Sequence, residues 1–251
     1  MHNKTSIWAA AVVGLAGILA AGTSNASPIV FSTGSGASTS GGPVSASASF
    51  ALGFNFLEIT LNNLLVNPSN DGQLLSGLSF SINGAPIVGM ASSSGQEVFV
   101  AKNGATSYVS PDIPTGWVLQ PSPLGFDLCD ICSTGKGALA PNGLIIGPPD
   151  SNGVYSNANG SIAGNPGHNQ FFSETATFTL FTPDLPPSAS VSSVLFRFGT
   201  GFGLQTTVGE CTSGCGVTTV PEPGALALFA AGLGTLGFAL SRKRRRAARL
   251  D

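Results

Sequence analysis

The stretch Thr175-Ala176-Thr177-Phe178-Thr179-Leu180 alternates threonine with an apolar residue through three repeats. Successive side chains of a β-strand point to opposite faces, so this pattern buries one face and leaves the other in water. No helical period of convincing length occurs between residues 27 and 219. The stretch therefore predicts a half-buried strand and decides the fold class in favour of β-structure.

The same period of two recurs at three other places along the chain, where the apolar positions are Leu57, Ile59 and Leu61; Leu78, Phe80 and Ile82; and Val194, Phe196 and Phe198. Residues 97–101 and 117–120 are weaker strand candidates. Turn-forming sequences, including 67–72, Asn83-Gly84 and the long segment 141–167, separate them. Several short strands divided by turns predict an all-β body, an antiparallel β-sandwich or jelly roll.

The two ends of this body are less regular. Residues 32–49 are rich in Gly, Ser and Ala, which is typical either of a flexible lead-in or of a weakly hydrophobic edge strand. Residues 212–219 have the Gly and Ser content of a short flexible linker. We therefore expect one exported domain over residues 27–219, large enough to bury a single core.

The charge of the body differs from that of the whole chain. The chain carries a formal charge of −2, but residues 27–219 hold three basic and ten acidic residues, a net charge of −7. Phosphate binding needs clustered Lys and Arg, so nucleic acid is not an expected partner. We also expect no cofactor.

The N-terminus has the three parts of a secretory signal peptide. Lys4 supplies the positive charge, Ile7–Ala21 is an apolar core, and small residues precede a cleavage point after Ala26. The alternative is an uncleaved N-terminal anchor. Cleavage would place the body outside the cytoplasm.

The C-terminal residues also fall into three parts. Val220-Pro221-Glu222-Pro223 precedes seventeen uncharged residues, 224–240, and these precede the basic run Arg242-Lys243-Arg244-Arg245-Arg246. Seventeen apolar residues are at the short end of what spans a bilayer as a helix. A basic cluster stays on the cytoplasmic side. The residues by themselves therefore predict a transmembrane helix, and a plain C-terminal anchor is the simplest interpretation.

This tail resembles the PEP-CTERM sorting signal of Gram-negative bacteria, the substrate signal of exosortases. The resemblance is confined to about the last thirty residues. It implies an exosortase-type membrane enzyme as a partner, a transient stay in the inner membrane through residues 224–240, and release to the cell surface or beyond. Exosortase systems are associated with exopolysaccharide production, so the resemblance also implies a structural or adhesive role in an extracellular matrix, with exopolysaccharide as a second partner.

The four cysteines form two close pairs, Cys129 with Cys132 and Cys211 with Cys215. Exported thiols are normally oxidised, so we expect disulfides, most simply within each pair. A zinc site or a redox CxxC motif would use the same spacing. No metal site is expected.

Catalytic signals are weak, and we expect no enzymatic activity. His168 is the one histidine between residues 27 and 219, but no Gly-x-Ser-x-Gly elbow accompanies it. A hydrolase using a carboxylate pair would draw on Glu58, Glu97 or Glu174. The oxygen-rich turns at 70–72 and 150–153 invite a calcium hypothesis, although turn chemistry alone explains them.

A carbohydrate-binding module is the rival hypothesis for the body. Its aromatic residues Tyr108, Trp117 and Tyr155 are candidates for stacking against sugar rings. An exposed aromatic platform would favour this hypothesis, and a deep acidic cleft would favour a hydrolase.

Overall fold

The computed structural model describes residues 27–84, 86–109, 111–132, 143–186, 189–201 and 205–215. These ranges contain β-strands, no α-helix, and a 3-10 turn at Asp71–Gln73. The strands are β1 Ile29–Thr33, β2 Ser38–Thr39, β3 Gly42–Pro43, β4 Ala46–Gly53, β5 Phe56–Asn63, β6 Leu75–Ile82, β7 Gly89–Val100, β8 Thr106–Tyr108, β9 Val118–Ser122, β10 Gly125–Cys129, β11 Ile145–Ile146, β12 Phe171–Phe181, β13 Val191–Phe198 and β14 Thr206–Ser213.

The two predicted membrane-directed segments fall elsewhere in the chain. The signal peptide over residues 1–26 and the transmembrane helix over 224–240 both lie outside the described residues. The described ranges include no helical segment that could span a lipid bilayer.

Twelve strands form one sheet in the order β8-β7-β12-β5-β4-β1-β14-β13-β6-β10-β9, and the short β11 bridges β12 and β6. Ile145 pairs with Phe172 in parallel and with Leu75 in antiparallel fashion. This bridge closes eight strands into a barrel-like ring. The all-β prediction is thus confirmed, whereas the sandwich or jelly roll of two separate sheets is not. Strands β2 and β3 pair only with each other and form a separate two-stranded hairpin.

The core lies on the inner side of the ring, where the predicted apolar positions point. Leu57, Ile59, Leu61, Phe178 and Leu180 are completely buried. Aromatic rings connect the strands across the core, with centroids 5.9 Å apart for Phe31 and Phe50 and 5.5 Å apart for Phe50 and Phe80. The alternation of apolar and polar residues therefore sets which face of these strands is buried.

The segment 32–49 is more ordered than the sequence indicated. It contains the end of β1, the β2–β3 hairpin and the start of β4, and β4 lies inside the sheet between β1 and β5. Ala46 and Ala48 are completely buried. The prediction of a lead-in or edge strand was wrong, because small side chains suffice where the opposing face supplies Phe rings.

The turn-rich segment 141–167 also contributes to the interior. It carries β11, and Leu144, Ile146, Tyr155 and Ile162 join a second buried cluster with Val98, Val100 and Phe171. Likewise β14 extends to Ser213, into the stretch expected to be linker. Few apolar residues in an irregular segment thus support a second, smaller core.

A buried amide holds the short strand β11 in place. Asn63 is 1% exposed, and its Nδ2 donates to the carbonyl oxygens of Gln73 at 3.0 Å and Ile145 at 2.9 Å. Its Oδ1 accepts from the backbone N–H of Leu65 at 3.1 Å. One side chain therefore satisfies three backbone groups where the sheet closes.

We predict that Asn63→Ala destabilises the protein by about 3 kcal/mol, because buried backbone groups lose their partners. Urea unfolding of the purified protein measures this loss. The neighbouring Asn62→Ala is the control: Asn62 bonds Ser47 and Thr175 on the solvent side, so its loss should cost less than about 1 kcal/mol. Equal losses for the two variants would contradict this role of Asn63.

Candidate functional site

The predicted sorting residues Val220, Pro221, Glu222 and Pro223, and the basic run from Arg242 to Arg246, lie outside the described residues. The described geometry is therefore that of the body, within residues 27–215. Here the structure places every other candidate of the sequence.

All four cysteines are disulfide-bonded. Cys129 bonds Cys132, and Cys211 bonds Cys215, as predicted. No cysteine is left free to bind zinc as a thiolate or to act in thiol exchange. Each bond closes a loop of a few residues, so it pins a local turn and removes little entropy from the unfolded chain.

The aromatic residues proposed for sugar stacking are mostly unavailable. Trp117 and Tyr155 are each 1% exposed. Trp117 Nε1 donates to the carbonyl of Gly143 at 2.7 Å, and the Tyr155 hydroxyl donates to the carbonyl of Gly147 at 2.8 Å. Burial raises the pKa of Tyr155 above its usual range. Tyr108 remains exposed, but the platform predicted from these three residues is wrong.

His168 lies in a hydrogen-bonded loop. Its Nδ1 is 2.7 Å from the carbonyl oxygen of Ser161, which can only accept, and 3.3 Å from Asn165 Nδ2, which can only donate. The shorter contact favours the proton on Nδ1. Asp71 Oδ2 is 3.8 Å away, and the Ser161 hydroxyl donates to Asn159 Oδ1. Asp, His and Ser are close together here, but a nucleophile would need its hydroxyl on the other imidazole nitrogen.

The carboxylates proposed for hydrolysis lie on three neighbouring strands, β5, β12 and β7, in solvent-accessible positions. Glu58 is exposed on β5, Glu97 is half-buried on β7, and Glu174 is exposed at an irregularity of β12, where its φ is 61°. Glycosidase acids lie instead in apolar surroundings. The described strands therefore give the hydrolase hypothesis no support from these three residues.

The oxygen-rich turns use their oxygens internally. Asp150 accepts from the Ser156 hydroxyl at 2.6 Å and from the backbone N–H of Asn152 at 2.9 Å. These bonds, led by that of Ser156, hold the pKa of Asp150 below its usual value. Asn70 caps the 3-10 turn by accepting from the N–H of Gly72. No group of three or more His, Cys, Asp or Glu in the described ranges is arranged to hold a metal ion.

The structure reveals a buried ion pair that the sequence analysis missed. Arg197 donates to Asp127 Oδ1 at 2.8 Å and to the Ser79 hydroxyl at 2.7 Å, and the two charged side chains are 12% and 3% exposed. Arg197 occupies an outward position in the alternation of β13, and only tertiary packing covers it. Removing one partner of a buried pair is strongly destabilising.

Asp130, between the first pair of cysteines, is also buried at 1% exposed. Burial raises its pKa to about 7, and the backbone N–H of Gly143 partly opposes this shift. Among the residues that the structure describes, none meets strict hydrogen-bond geometry with either carboxyl oxygen, and the Gly143 N–H acts on the carboxyl electrostatically. Protonation at acidic pH removes the cost of burying the charge.

The outward face of β4, β5, β12 and β7 carries rows of small polar side chains. Thr177 lies between Thr60 and Ser94, and Thr60 pairs with Ser49. In the next row Thr175 donates to Asn62 Oδ1 at 2.7 Å. The surface, named the hydroxyl face, consists of residues that are all half-buried or exposed: Ser47, Ser49, Thr60, Asn62, Ser92, Ser94, Thr175, Thr177 and Thr179.

The hydroxyl face ends in exposed phenylalanines. Phe56 pairs with Phe181, and they are 40% and 47% exposed. Phe54, in the turn between β4 and β5, is 80% exposed. These three residues are named the aromatic row. The strand pattern places Phe56 and Phe181 on the wet face, a signal that could have been read from the sequence.

We predict that Asp130 makes stability fall as pH rises from about 4 to 7. Its folded-state pKa is above the ordinary 3.8, so in this window the folded state keeps a proton that the unfolded chain has lost. Asp130→Asn should remove the fall and stabilise the protein at pH 8 by about 3 kcal/mol. Urea unfolding at pH 4 and pH 8 measures both. Asp127→Asn, the control, should destabilise at both pH values; equal slopes for wild type and Asp130→Asn would contradict the prediction.

Comparison with known proteins identifies the tail. The family model described as the PEP-CTERM protein-sorting motif matches residues 219–245. No curated protein and no solved structure matches the chain. The match covers the Pro-Glu-Pro sequence, the apolar run and most of the basic run, and it confirms the predicted resemblance. The chain therefore carries a PEP-CTERM sorting motif at residues 219–245, which indicates an extracellular protein sorted by an exosortase.

Proposed function

We propose that the protein is exported, is held briefly in the inner membrane of a Gram-negative cell by residues 224–240, and is released by exosortase cleavage near Pro221-Glu222-Pro223. The observation that carries this proposal is the match of the PEP-CTERM motif to residues 219–245. Export through the predicted signal peptide would bring the tail to the membrane last.

The order of the three parts supports a stop-and-present mechanism. The apolar run is barely long enough to span, so the basic residues keep it from slipping through. Each charge moved into hydrocarbon costs roughly 2.5 to 3.5 kcal/mol on insertion scales. The two prolines cannot continue a helix, so Glu222 would lie in an extended segment at the outer interface.

The body is proposed to be a structural or adhesive part of the cell surface or extracellular matrix. Its closed sheet and two disulfides suit a rigid domain that persists outside the cell. The carboxylates considered for hydrolysis are exposed or half-buried on β5, β7 and β12. A structural role needs no bound cofactor and draws on rigidity and surface chemistry instead.

We predict that two changes in the tail fail in different ways. Glu222→Ala should leave the protein uncleaved in the membrane, because the recognised carboxylate is gone. Replacing Arg242, Lys243, Arg244, Arg245 and Arg246 by Gln should let the tail slip through unprocessed. An epitope inserted before Thr218, followed by cell fractionation and intact-mass analysis, distinguishes the two.

The control is Glu210→Ala, which removes an acidic residue of β14 and leaves the tail intact. This variant should be processed like the wild type. Release of the Glu222→Ala protein at the wild-type level would show that the tail is a plain anchor, and the sorting proposal would then be wrong.

A further inference from the structure

We propose that the hydroxyl face and the aromatic row together bind a neutral polysaccharide chain. Sugar rings would pack against Phe54, Phe56 and Phe181, and sugar hydroxyls would bond the Ser, Thr and Asn side chains beside them. The inference deepens the proposed surface role, and it rests on that role only in placing this face outside the cell.

The first argument is the regular spacing of hydrogen-bonding groups. Neighbouring strands lie about 4.8 Å apart, and residues two positions apart on a strand about 6.8 Å. Thr177, Thr60 and Ser49 form one row across three strands. In the next row Thr175 donates to Asn62 and Asn62 donates to Ser47, so part of the hydrogen-bonding capacity of that row is used within the protein. Hydroxyl and amide groups both donate and accept, as the hydroxyls of a sugar chain do.

The second argument is the position of the aromatic row at one end of the hydroxyl face. The faces of a pyranose ring carry C–H groups, and an exposed aromatic ring removes them from water. Phe56 and Phe181 face outward from adjacent strands in register with the hydroxyl rows. Apolar and polar contacts therefore lie side by side, as an amphiphilic sugar chain requires.

Hydrogen bonds hold the turn between β4 and β5, which precedes Phe56, against the end of β12. Asn55, with φ at 63°, accepts from the N–H of Thr182 at 3.0 Å through its carbonyl and from the N–H of Asp184 at 3.1 Å through Oδ1. The ring of Phe56 lies against Gly53, in the space where a side chain would sit. Fixed contact groups reduce the entropy lost on binding.

Charge selects the kind of polysaccharide. The strands β4, β5, β7 and β12 contain no Lys, Arg or His, and Glu58 lies on the same face as Thr60. The body as a whole has a net charge of −7. An anionic polysaccharide would be repelled, whereas a neutral chain can donate hydroxyl hydrogens to Glu58.

A second copy of the chain fits the face less well. Stable protein interfaces use about 20–30 residues a side, with an apolar centre. Here three exposed rings lie at the end of a surface made of small polar groups. The nine residues of the hydroxyl face are Ser, Thr and Asn, so the apolar part of the surface is confined to one end.

The test measures binding of purified, exported protein to immobilised cellulose, xylan, mannan and dextran as neutral chains and to alginate as an anionic one. We expect binding to at least one neutral chain and none to alginate. The double variant Phe56→Ala/Phe181→Ala should raise the Kd at least about tenfold, and Thr177→Val, which keeps the side-chain shape, about threefold to tenfold.

Phe99→Ala is the matched control. Phe99 is 41% exposed on β7, close to the exposure of Phe56, but it lies five residues from Ser94, roughly 17 Å along the strand. The Phe99→Ala variant should bind the neutral polysaccharide like the wild type. Circular dichroism should show that all variants are folded.

Three results would overturn the inference: no binding to any neutral chain, unchanged binding by the double variant, or a change in oligomeric state by the double variant alone. The last would identify the face as a contact between copies. Processing of the tail is followed in the same cells. A correctly processed protein without glycan binding refutes this inference and leaves the sorting proposal intact.

Discussion

The hydrogen bonds of the Asn63 side chain secure the closure on which the ring depends. The bridging strand β11 has two residues, so it offers few ladder bonds to either neighbour. Asn63 adds hydrogen bonds to the carbonyl oxygens of Ile145 in β11 and of Gln73, which lies two residues before the start of β6. A buried amide with both ends satisfied fixes one arrangement of these segments, because any other leaves polar groups unpaired.

A second set of buried polar groups lies beside β6, on the side away from the apolar core. Arg197, Asp127 and Ser79 form one network, and Asp130 lies next to the Cys129–Cys132 disulfide. Burying charges costs free energy that their attraction only partly returns. We therefore expect the network to contribute to a single well-defined packing more than to net stability.

The solvent-facing side of β4, β5, β12 and β7 carries small polar side chains and very few charged ones. Threonine favours strands because it is β-branched, and serine is small enough to fit beside it. Together they form a surface of hydroxyl groups that contains no Lys, Arg or His. Such a face suits a ligand that is itself hydroxylated and uncharged. The PEP-CTERM motif at residues 219–245 indicates delivery of this body to the outside of the cell.

The sequence by itself determined the all-β class, the inward faces of β5, β6, β12 and β13, the two disulfides and the sorting motif. Each of these depends on local pattern: a period of two, short cysteine spacing, or a contiguous signal. The sequence analysis missed β11, because two isoleucines in a turn-rich segment carry little hydrophobic signal. It also missed that β4 is an interior strand of the sheet, because an alternation of Ala and Ser is only weakly hydrophobic.

Tertiary structure alone decided the rest. Closure of the sheet depends on which distant segments meet, and the burial of Trp117, Tyr155, Asp127 and Asp130 depends on what covers them. The pairing of Phe56 with Phe181, which brings the two exposed rings side by side, likewise follows from the register of β5 with β12. Side-chain type states what a residue can do, but long-range pairing of strands decides whether water or protein surrounds it.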